Sequence, residues 1–91
     1  MTNEDKIKNI MENFDFERVH KTMKKLNWKW FISVEEGERV PTLNEIKETA
    51  LKMLHDAIEK YSYSTGGFSV KYNKDTGRLS LSFVVEEWDE V

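Results

Sequence analysis

Ninety-one residues without a cysteine, carrying a net charge of −3, exclude several classes of protein at once. The length makes one domain with one modest core, removing about 60–65% of the unfolded surface from water. Neither a disulfide framework nor a thiolate metal site is open to it, and the acidic balance argues against broad electrostatic binding to nucleic acid.

No apolar run reaches membrane-spanning length, and MTNEDKIKNI is too polar for a signal peptide. The expected setting is therefore the cytoplasm, with no membrane partner. In chain order, Ile7, Ile10, Met11 and Phe14 recur at helical spacing, and Thr2 followed by Asp5 forms a cap for them. Asn13 to Asp15 interrupts the pattern. Asp15 then caps a second amphipathic stripe of Phe16, Val19, His20, Met23 and Leu26, so one bent helix or two segments both fit, with residues 1–13 as a separable helical piece. Over residues 15–30, Arg18, Lys21, Lys24, Lys25 and Lys29 stand against Asp15 and Glu17, leaving +3. The basic helix 16–27 has two readings: a nucleic-acid face, or a solvated face whose cations suit its C-terminal end.

Asn27 suits a helix end, and from Trp28 the period changes. Trp28, Trp30, Ile32 and Val34 alternate with Lys29, Phe31 and Ser33, predicting a strand over 28–34. The tryptophans are core anchors or stacking platforms for a base, and Trp28, at the strand's start, is the more exposed of the two in this reading. Glu35-Glu36-Gly37-Glu38 reads as a solvated acidic turn. Val40 to Tyr61 follows as the strongest helix, with Thr42 and Glu45 as a capping box and Leu43, Ile46, Ala50, Met53, Leu54, Ala57, Ile58 and Tyr61 as its apolar stripe.

The connector 62–67 carries Ser64, Thr65, Gly66 and Gly67. Its glycines turn the chain, or let backbone N–H groups approach an anion with the hydroxyls as extra donors. No Walker lysine follows it. Next come two alternating runs, strands 67–73 and 79–87. Phe68, Val70, Tyr72, Leu79, Leu81, Phe83 and Val85 lie on the inner side, with Ser69, Lys71, Ser80 and Ser82 outside. Asn73 to Gly77 between them predicts a short loop ending in a glycine bulge. The last residues, 86–91, form an acidic tail in which Glu86, Glu87, Trp88 and Asp89, with Glu90, are candidate partner-binding positions.

Catalytic chemistry is not written in this chain. His20 and His55 are the only histidines, neither in a metal-binding spacing, and no nucleophile stands near a base. We expect no catalytic residues, no metal, no cofactor and no enzymatic activity. The segments FDFERVHKTMKKLNWKW (14–30), the VPT-capped helix (40–61), STGGFSVKY (64–72) and LSLSFVVEEW (79–88) resemble a family of small proteins encoded by phages and prophages of bacteria. The resemblance covers Phe14 to Trp88. It implies an accessory protein in a bacterial host cell that acts by binding, for example by occupying a defence protein or sequestering a nucleotide signal. Phe31–Arg39 is longer than the resemblance implies, which leaves the shape of that loop open.

The expected fold is a single α+β domain of order α-β-α-β-β. Strand 28–34 joins the C-terminal hairpin in a three-stranded sheet through a crossover, right-handed if the two strands are parallel, with the helices on one face. The strand order stays open, Val84 on its outer face suiting strand 79–87 to the centre. An outer face bearing Phe31 and Val84 predicts a homo-oligomer. Three functional readings follow. The first is a binder of a small anionic, nucleotide-like ligand through Trp28, Ser64, Thr65, Gly66 and Gly67 with Lys29 or Arg78, in which Gly67→Val abolishes binding and leaves the fold intact. The second is an inhibitor of a basic host protein through the acidic surface. The third, least compatible with the charge, is a nucleic-acid binder through the basic helix.

Overall fold

The computed structural model describes residues 2–60, 62–65 and 67–83. Over these the chain is α+β, with three helices and antiparallel strands. Helix α1 (Asn3–Asn13) starts where sequence placed it: the Thr2 hydroxyl accepts from the Asp5 amide at 3.1 Å, and the Asp5 carboxylate accepts from the Thr2 amide. Phe14 leaves helical geometry, and Asp15 caps α2 (Phe16–Leu26) by accepting from the Arg18 amide at 3.0 Å, so there are two helices. Asn27 ends α2 at a left-handed φ of +53°, which Asn tolerates better than most side chains.

The predicted place of strand 28–34 beside the C-terminal hairpin does not hold. Trp30–Ser33 (β1) reverses at once into Gly37–Arg39 (β2), and the two pair antiparallel as a separate ribbon, with Trp30 opposite Arg39 and Phe31 opposite Glu38. Gly37, at a φ of +71°, makes this local reversal accessible, and closing a short loop costs less entropy than a crossover. The position beside the C-terminal hairpin is taken by Ser62–Thr65 (β3), expected to be a connector. It runs antiparallel to Phe68–Asn73 (β4), with Thr65 opposite Phe68. The sheet order is β3-β4-β5, so β4, not Arg78–Phe83 (β5), is central. The observed order is thus α-α-β-β-α-β-β-β, in place of α-β-α-β-β. Phe31 therefore lies on the ribbon, away from the outer face of the hairpin sheet, and Val84 lies outside the described residues, so the expected self-association face is not formed as drawn.

The C-terminal hairpin itself is as its alternation predicts. Phe68 pairs with Phe83, Val70 with Leu81 and Tyr72 with Leu79, while Ser69 meets Ser82 and Lys71 meets Ser80 on the other face, where all but Ser69 are exposed. Gly77, at a φ of +73°, closes the turn, and the Asn73 side chain accepts from the amides of Asp75 and Thr76. The Lys6 ammonium donates to the Gly77 carbonyl and ties α1 to this tip.

The long helix α3 (Leu43–Lys60) covers the apolar face, burying Ile46, Ala50, Met53, Leu54 and Ala57 against Phe68, Val70 and Phe83. At 1.5 Å per residue it spans about 27 Å, more than the length of the strands it crosses. Helix α2 adds Phe16, Val19 and Met23 to the same core. Six aromatic rings run through it in continuous contact. Phe68 meets Phe83 at 5.0 Å, Phe14 at 6.2 Å, Phe16 at 6.4 Å and Trp30 at 6.2 Å, and Phe83 meets Trp28 at 6.1 Å between centroids. Tilted and edge-on pairs of this kind add to the burial of the rings. Trp28 and Trp30 are both half-buried, and both pack against the core.

Candidate functional site

Of the described positions expected to hold a small anion, Thr65, Gly67, Trp28 and Lys29 lie toward one end of the hairpin sheet and Arg78 at the other. Gly67 and Trp28 come together, but in packing: a Cβ placed on Gly67 would stand 2.7 Å from Phe83 Cε1 and 3.3 Å from Trp28 Cζ2. The side of the backbone where a Cβ would stand is filled by two rings. The expectation that Gly67→Val leaves the fold intact is overturned, because a side chain there meets the buried Phe83 ring at a φ of +95°. Ser64 and Thr65 pair with Ser69 and Phe68, so their backbone belongs to the β3–β4 ladder. Lys29 is exposed next to Trp28. Arg78 begins β5, opposite Asn73, while Gly67 adjoins the Phe68–Phe83 pair at the other end. At about 3.4 Å per residue, that end is roughly 17 Å away. Gly66, Glu86, Glu87, Trp88 and Asp89 lie outside the described residues.

The β1–β2 ribbon is the feature that sequence reading missed. Phe31 is 66% exposed and Val34 92% exposed. Glu35 and Glu36 occupy the turn and Glu38 stands opposite Phe31, all three exposed. The turn is held by the Ser33 hydroxyl, which accepts from the Glu36 amide at 3.0 Å. The base is held harder. Arg39 donates to both carboxylate oxygens of Glu45, at 2.7 and 2.9 Å, and reaches Glu36 at 3.1 Å. Glu45 in turn accepts from the Thr42 amide at 2.8 Å, and the Thr42 hydroxyl accepts from the Glu45 amide at 3.2 Å. One carboxylate thus caps α3 and clamps the ribbon. The Arg39 hydrogen bonds, then the Thr42 amide, hold its pKa down to about 2, and the same bonds raise the Arg39 guanidinium further above its usual value. A bidentate arginine–carboxylate pair fixes direction as well as distance, so the ribbon leaves the domain at a set angle.

Compared with protein-family models, curated proteins and solved structures, the chain matches none. What the site can do is therefore read from its own surfaces. The exposed cations Lys21, Lys24 and Lys25 share one side of α2 at i, i+3 and i+4. A groove of about 480 Å³ between α1 and α3 is mostly apolar, with Ile7, Met11 and Leu51 in it and Glu4, Lys8 and His55 at its rim. Among the described residues no cluster of three or more His, Asp or Glu is placed to hold a metal ion, and no buried polar side-chain atom lacks a hydrogen-bond partner. No described helix is long and apolar enough to cross a membrane.

The ribbon escaped the sequence reading for a simple reason. Gly37-Glu38-Arg39 is too short and too charged to show a period of two, and Arg39 and Glu45 are separated by the proline that precedes the helix. The usable signal was Gly37 three residues after the end of an alternating run, which is how a short reversal is written.

Proposed function

We propose that this chain is a non-enzymatic protein-binding module that presents the β1–β2 ribbon to a basic surface of its partner. The observation that carries the reading is the exposure of Phe31 and Val34 on a ribbon locked to α3 by Arg39 and Glu45. Apolar side chains held in water gain about 25 cal/mol for each Å² a partner covers. A ribbon already fixed in direction loses little freedom on binding. Glu35, Glu36 and Glu38 around the two apolar side chains select a partner whose apolar pocket is rimmed by Lys or Arg. This is the basic-host-protein reading, carried by the ribbon in place of the C-terminal acids.

The test is a photo-crosslinking side chain in place of Phe31, used in a bacterial lysate. The expected product is one discrete crosslink to a basic protein that weakens with salt and disappears in Glu35→Gln/Glu36→Gln/Glu38→Gln. Crosslinking that is indifferent to these substitutions would sink the reading.

The small-anion reading keeps one observation, the exposed Lys29 beside the Trp28–Gly67 contact. Native mass spectrometry of gently purified protein tests it. A discrete extra mass of nucleotide size, lost in Lys29→Glu, would favour it, and a clean mass would count against it.

A further inference from the structure

The four exposed large hydrophobic residues of the described chain include Leu26, Phe31 and Val34, so three of them are gathered between residues 26 and 34. They sit in two settings of opposite sign. Leu26, 48% exposed, closes α2 beside Lys24 and Lys25, with Lys21 one turn earlier and Lys29 just beyond. Phe31 and Val34 are surrounded by Glu35, Glu36 and Glu38. Among the described residues Lys21, Lys24, Lys25, Glu35 and Glu38 make no ion pair, and Glu36 reaches only Arg39 of its own ribbon. The two patches therefore complement each other in charge and in apolar content, yet among the described residues no ion pair joins them within one molecule.

We infer that two copies of this chain associate about a two-fold axis, the acidic ribbon of each seated on the cationic C-terminal end of α2 of the other. A two-fold makes every such contact twice. It joins each apolar side chain to a counterpart in a ring of opposite charge, so both the burial and the attraction favour this partner over a random surface. The inference rests on the ribbon being a binding surface, and it names a second copy as the occupant when no other partner is present. The pairs lie near water, so the association weakens as salt screens them.

Charge reversal tests it on the full chain by sedimentation velocity. One variant carries Glu35→Lys, Glu36→Lys and Glu38→Lys; the other carries Lys21→Glu, Lys24→Glu and Lys25→Glu. Wild type is expected as a dimer at low salt that dissociates as salt rises. Each variant alone is expected as a monomer, because like charges then face each other, and an equimolar mixture is expected to regain a heterodimer. Circular dichroism melts of each variant confirm that these surface changes leave the fold in place. A monomeric wild type, reversed variants that still dimerise, or a mixture that stays monomeric would each overturn the inference. A crosslinker at position 31 separates the two levels. A monomeric wild type that still gives the salt-sensitive crosslink to a basic protein loses the self-association alone. A wild type with no crosslink from position 31, to itself or to anything else, loses the ribbon reading as well.

Discussion

Gly67 holds a backbone φ of +95°, where L side chains are strained, and its missing Cβ leaves room for the Phe83 ring. Phe83 cannot yield easily, being buried between Phe68 and Trp28. Gly67→Ala is therefore expected to lower stability by about 1–3 kcal/mol, and Gly67→Val by more, read from the urea midpoint. Gly37→Ala is the control: it shares the positive φ but meets open space, so it should cost only the backbone strain of about 1 kcal/mol. An unchanged midpoint in Gly67→Ala would show that packing does not require this glycine and would return it to the anion reading. The contrast with Gly77 shows what sequence can and cannot express. Gly77 was legible because Asn73 and Asp75, which share its turn, are beside it in the chain. The reason for Gly67 lies in Phe83 and Trp28, which only the tertiary fold brings there.

Whole elements were legible where a local period or a cap was complete. Thr2, Asp15 and Thr42 each announced a helix, and the strict alternation of β4 and β5 fixed their pairing face. The short strands were not legible. Ser62–Thr65 has no apolar alternation to mark it, and it becomes a strand because β4 has a second edge to pair with. The clamp between β2 and α3 gives this scale its own prediction. The Glu45 carboxyl has its pKa lowered from about 4.5 to about 2 in the folded chain. A lowered carboxyl contributes stability that is fully present above its unfolded value and is lost as pH falls through the folded one. The contribution should therefore fade between pH 4.5 and 2, muted by the solvent that reaches the pair. Glu45→Gln is expected to flatten that part of the stability curve and to leave the curve above pH 5 parallel to wild type. Thermal melts across this range decide it. A Glu45→Gln curve with the same acid limb as wild type would place the acid sensitivity in other carboxylates.

For the molecule as a whole, exposure divides two phenylalanines of the same chemistry into opposite roles. Phe68 is the hub of the aromatic core, touching Phe14, Phe16, Trp30 and Phe83, and is 1% exposed. Phe31 lies 66% exposed on the ribbon. A chain of this size is stabilised by only about 5–15 kcal/mol in total. Phe68→Ala, at about 3–5 kcal/mol for a buried ring, removes a large share of it. Phe31→Ser removes a side chain that is mostly in water within one molecule and should leave the monomer's urea midpoint within about 0.5 kcal/mol of wild type. The two variants thus separate folding from binding. Phe68→Ala should lower the midpoint sharply, whereas Phe31→Ser should keep the fold and lose the dimer. Sedimentation and urea unfolding of both variants, at one protein concentration in high salt where wild type is monomeric and again in low salt, make the comparison. A Phe31→Ser chain that unfolds as readily as Phe68→Ala would mean that the ribbon is part of the core's support, and its exposed side chains would then need no partner to explain them.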